Sequence, residues 1–110
     1  MRLVVYWMWN NNTMEIQPLH TKVEKSIQTT VGEIVLEQPT GFPRGESNLY
    51  CIALYTGKIV WQAEKPDPYT LYSRVRLNED GATLSAYTIG GHACDLDPKT
   101  GKLIGYTSIK

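Results

Sequence analysis

The densest group of chemically capable side chains in this chain is His92-Ala93-Cys94-Asp95-Leu96-Asp97. Read as a strand, it puts His92, Cys94 and Leu96 on one face and Asp95 and Asp97 on the other. A zinc centre needs about four ligands converging on one point. Only His92 and Cys94 share a face here, and Cys51 or His20 would have to arrive from elsewhere. The overlapping "DLDPKTG" has oxygens at alternate positions, as a calcium loop does. Lys99 stands where a third ligand belongs, and no downstream carboxylate closes the site. The expectation is no metal and no cofactor.

Nucleophilic catalysis needs a serine or cysteine beside a histidine, with an acid to orient it. The chain has two histidines, His20 and His92, and neither a G-x-S-x-G elbow nor a phosphate loop. No catalytic residue is singled out. A small hydrolase or transferase using His92 and its neighbouring acids is the last-placed reading, and it requires a cleft at the start of that strand. Tyr72, Arg74 and Arg76 form a different kind of group, projecting from one face of a regular strand. Aromatic and arginine side chains on a sheet can stack bases and hold phosphates. The chain carries eleven basic and eleven acidic residues, however, and its net charge is zero. That balance favours an ordinary solvated face and no nucleic-acid partner.

The remaining candidates are aromatic. Tyr6, Trp7, Met8 and Trp9 are consecutive, so a strand shows Tyr6 and Met8 on one face and Trp7 and Trp9 on the other. These types are enriched at protein interfaces, and a small sheet has difficulty covering both faces of such a strand. Trp61 and Tyr87 are the residues expected to line a ligand pocket between sheets, if there is one.

The elements that must position these groups read mostly with period two. "KIVWQAE" puts Ile59, Trp61 and Ala63 on one face, and "LYSRVRLN" alternates Leu71, Val75 and Leu77 with polar neighbours. "NLYCIAL" is apolar on both faces and reads as a central strand. "NEDG" at 78–81 suits a tight hairpin, and the proline-bearing stretches 39–47 and 65–69 suit loops. Only 22–30 reads as a short helix: Thr21 and Glu24 have capping-box spacing, and Val23 and Ile27 lie one helical turn apart. A strand is the alternative there.

One device occurs twice. "NLYCIALYTGKIVWQAEK" and "HACDLDPKTGKLIGYTSIK" each run from a cysteine-bearing apolar stretch through Thr-Gly-Lys into a second apolar stretch. In "DPKTGK", Pro98 presets φ and Gly101 falls where positive φ is needed. These segments resemble the blade repeats of quinoprotein-type β-propellers, in which a strand ending in Leu-Asp passes through Thr-Gly into a strand bearing tryptophan. The first copy keeps Trp61 but has Leu54-Tyr55 in place of Leu-Asp. The second has Leu96-Asp97 but Gly105-Tyr106 in place of tryptophan. A propeller needs at least about four blades of about forty residues, more than 110 residues supply. No residue matches a cofactor-contacting motif of that family.

Two cysteines are too few for a secreted disulfide scaffold, so Cys51 and Cys94 are expected reduced and buried. The opening apolar run lacks a small-residue cleavage site and is too short for a membrane-spanning helix. A cytoplasmic protein with no membrane partner is expected. Together these features predict a single domain over 1–110, mainly β, built as a small antiparallel sandwich or partly open barrel. The function read from them is a non-catalytic interaction module that forms a homo-oligomer, most simply a dimer. A small-molecule binder is the alternative.

Overall fold

The period-two stretches become eight strands among the residues that the computed structural model describes, 16–109. The aromatic run Tyr6, Trp7, Met8 and Trp9, with its expected interface, lies outside them. The strands are β1 (Val23–Gln28), β2 (Glu33–Glu37), β3 (Leu49–Ile52), β4 (Ile59–Gln62), β5 (Tyr72–Leu77), β6 (Leu84–Thr88), β7 (His92–Leu96) and β8 (Leu103–Ser108). They form two four-stranded antiparallel sheets, ordered β1-β2-β3-β4 and β5-β6-β7-β8. Neighbours in each sheet are neighbours in sequence, so every strand-to-strand link can be short. The sheets lie face to face as a sandwich. No barrel closes, because β4 and β5 belong to different sheets.

One core joins the layers. Ile34, Leu36 and Trp61 of the first sheet meet Tyr72, Leu84 and Leu96 of the second. β2 and β3 are buried on both faces, as "NLYCIAL" predicts: Val35, Tyr50 and Ile52 point away from that core into a second cluster.

The expected helix over 22–30 is a strand. β1 pairs along β2, with Ile27 opposite Ile34. A bulge between Val23 and Lys25 shifts parity, so Val23 packs in the second cluster while Ile27 packs against the main core. The four-residue spacing that suggests a helical stripe suits one face of a regular strand equally well, and here the bulge sends its two residues to opposite faces. Thr21 does not cap anything at Glu24; its backbone N–H donates to Glu37 and its hydroxyl to the Gln38 carbonyl at 2.7 Å.

Two buried polar residues fix the layers. Asn48, fully buried, donates from Nδ2 to the carbonyls of Glu37 (2.8 Å) and Tyr72 (2.8 Å), and its Oδ1 accepts the Tyr72 N–H (2.9 Å). It therefore ties the start of β3 to the start of β5, across the sheets. The buried Glu37 carboxylate accepts the backbone N–H groups of Leu19 (2.6 Å), His20 (3.0 Å) and Thr21 (2.8 Å), and a short hydrogen bond from the Tyr50 hydroxyl. It pins the strap that leads into β1.

Candidate functional site

Trp61 sits between the sheets, and its position explains the repeated device. Gly101 has φ of 73°, as the turn requires, and its N–H donates to the Asp97 carbonyl at 2.7 Å. The indole of Trp61 lies directly on that turn. A Cβ on Gly101 would stand 2.7 Å from Cδ2 of the ring, and the indole N–H donates to the Pro98 carbonyl at 3.0 Å. The tryptophan of the first copy is thus docked on the glycine turn of the second. Trp61 is buried in the main core and lines none of the clefts described below.

Tyr87 lies elsewhere, on the outward face of the second sheet, and shares no cavity with Trp61. Arg74 stands over its ring, 5.8 Å from the centroid. Arg76 shares this face, but Tyr72 does not. A bulge between Tyr72 and Arg74 turns the tyrosine into the core, where its hydroxyl donates to the Glu64 carbonyl at 2.6 Å. The expected Tyr72–Arg74–Arg76 face is corrected to Arg74, Arg76 and Tyr87. A similar bulge between Cys51 and Ile52 leaves Ile59 exposed rather than aligned with Trp61.

Among the described residues His92 meets no acid. Its Nδ1 pairs with the Thr88 hydroxyl at 2.8 Å, and its ring lies edge-on to Tyr106. Asp97 is taken up by its own turn, accepting the Lys99 N–H at 2.8 Å. No group of three metal-ligating side chains exists among the described residues. Cys51 and Cys94 are free thiols and buried. Burial pushes Cys51 up to about 11. Cys94 is also raised, by burial above all, with Asp95 adding to the effect and the Tyr72 hydroxyl opposing it.

Three surface features remain. A cleft of about 590 Å³ lies among the loops after β2, β4 and β6, lined by Phe42, Arg44, Asp67, Tyr69 and Ile89. A second, of about 530 Å³, opens beside β1 and β5 and contains Lys25, Arg74, Arg76 and Tyr87. The third is the wall made by the outer strands. β4 and β8 end their sheets, and the residues just after β4 touch the start of β8: the Glu64 N–H donates to the Gly101 carbonyl (2.9 Å) and the Leu103 N–H to the Glu64 carboxylate (2.7 Å). Ile59, Val60, Ile104 and Tyr106 are exposed along it, and Tyr55 in the β3–β4 turn is 98% exposed.

No protein-family model matches the chain, and no curated protein or solved structure matches it at a significant level. Among the described residues no helix is long and apolar enough to cross a membrane.

Proposed function

We propose that this protein is a non-catalytic interaction module that self-associates through its outer strands. The observation that carries this reading is the apolar wall of β4 and β8. These two strand edges pair with no described strand, and Ile104 is 60% and Tyr106 51% exposed. Unpaired edges bearing aliphatic and aromatic side chains recruit further strands unless blunted by charge or proline. Between Lys102 and Lys110, the segment that forms β8 holds neither. Zero net charge leaves little repulsion between copies. The partner is a second copy, related by a twofold axis.

The blade resemblance supports the same reading. Each four-stranded meander carries one Thr-Gly turn, and the resemblance to blade repeats is kept as part of this proposal. Two free, buried thiols suit a reducing compartment, so we place the module in the cytoplasm.

Light scattering at micromolar protein tests the assembly. A mass twice the 12.4 kDa of one chain is expected, falling to one chain in Ile104→Lys with unchanged circular dichroism. A monomeric parent sinks the proposal. A dimer that Ile104→Lys leaves intact, but that Trp9→Glu dissociates into folded monomers, moves the contact to the N-terminal segment.

A further inference from the structure

We propose that the outward face of the second sheet binds a small organic anion with a flat ring, of the aryl phosphate class. The site borders the β4–β8 wall and shares Tyr106 with it, but its cations lie on β1 and β5, and its test reads ligand binding rather than assembly. Its first component is a concentration of unpaired positive charge. Arg74 and Arg76 are two apart on β5 and both face outward, because the bulge after Tyr72 fixes their parity. Among the described residues neither guanidinium has a carboxylate partner, and the one ion pair there is His20–Glu46. Lys25 reaches the same cleft from the first sheet, its ammonium donating to the Val75 carbonyl at 3.0 Å. Against these three cations the lining holds one acid, Glu24, so this cleft carries a net charge of three minus one on a chain whose total is zero.

The second component is a hollow shaped by a missing side chain. Trp61 lies four residues beyond Gly57 and pairs opposite Cys51. Its counterpart, four residues beyond Gly101 and opposite Asp95, is Gly105. A depression of about 220 Å³ lies at Gly105 on the outer face, walled by Tyr87, Asp95, Tyr106 and Thr107. In the first sheet the equivalent place is filled by an indole. Here it is open, and a Cβ on Gly105 would meet nothing within 4 Å.

Tyr87 lines both the cationic cleft and the hollow and stands between them. Its ring is already stacked with Arg74 at 5.8 Å, which holds that guanidinium in place before a ligand arrives. Asp95 fixes the orientation. An anionic group is repelled from the hollow and drawn to Arg74 and Arg76, leaving the ring against Tyr87 and the Gly105 backbone. Arginine suits this task because its planar fork meets two oxygens of a phosphate at once.

Phenyl phosphate is the probe, titrated into the full chain with amide chemical shifts as the readout. Saturable shifts at Tyr87, Gly105 and the β5 amides are expected, weakening as salt is added. Arg74→Gln with Arg76→Gln should abolish them. Gly105→Trp, which restores the side chain of the first copy, should weaken phenyl phosphate at least tenfold and leave inorganic phosphate unchanged. Should that variant fold poorly, Tyr87→Ser must give the same selective loss. The proposal is overturned by no saturable binding up to about 10 mM, or by binding that survives both the arginine and the hollow variants. It is equally overturned if a short single-stranded oligonucleotide binds at these residues and phenyl phosphate does not.

Discussion

Gly101 answers two demands with one missing atom. Its φ of 73° disfavours any Cβ, and the Trp61 ring occupies the space a Cβ would enter. Gly57 in the first copy has φ of 70° but nothing within 4 Å. Gly57→Ala should therefore lose only the backbone preference, about 1 kcal/mol. Gly101→Ala should lose clearly more, read as a larger drop in the urea midpoint. Equal losses would show that the ring contact contributes nothing. The first demand is legible in "DPKTGK" itself. The second is set by a residue on another sheet, and no local pattern announces it. Glu37 was missed for the same reason, since its partners come from a strap with no regular structure. Burial opposes its charge, yet the Tyr50 hydroxyl and the three N–H groups outweigh that and hold the carboxyl below 4.5. A depressed native value means that its stabilising effect is complete above the ordinary carboxylate range and is lost as pH falls through the native value. Glu37→Gln should lower stability by about 2 kcal/mol at pH 7, and the gap from the parent should close as pH drops below 4.5. Cys51, raised from 9.0 to about 11, should react with a disulfide reagent at pH 8 at least about a hundredfold slower in the native protein than in denaturant.

At the scale of elements, alternation located the strands and bulges decided which way their side chains point. "LYSRVRLN" predicts a strand, and β5 is one. A single extra residue near Ser73 then sends Tyr72 inward and keeps the arginines outward. Bulges leave no mark on composition, so the inward turn of Tyr72 is not legible in the sequence, while the four-residue spacing at 22–30 fits a helix and a strand alike. The sheets also meet through a polar group that no periodicity reveals. Asn48→Ala would leave the Tyr72 N–H and C=O and the Glu37 carbonyl without that partner in a buried setting. Such groups cost about 1–3 kcal/mol each when stranded, so a total loss of about 3 kcal/mol is expected in chemical denaturation. Asn48→Ala should also lower protection of the Tyr72 amide in hydrogen exchange. A neutral substitution would mean that water or a shifted β5 replaces the bridge.

For the whole molecule, the antiparallel sandwich was legible because both of its layers repeat one pattern of apolar strands and Thr-Gly turns. How the layers face one another was not, because Trp61, Asn48 and Tyr72 reach partners across the seam. That seam has a consequence for the chain as a connected object. Among the described residues every strand pair is made within 23–62 or within 72–108, and none crosses between them. The stretch 65–69 is therefore a covalent tether, and strand pairing does not depend on it. Cutting there should leave two fragments, each with its own complete set of backbone ladders. Their reunion would rest on the shared core, the Asn48 bridge and the indole on its glycine. Co-expressed halves split after Pro66 are expected to purify together and to part when Trp61→Ala is introduced. The protein would then be two interlocking pieces that happen to be translated as one.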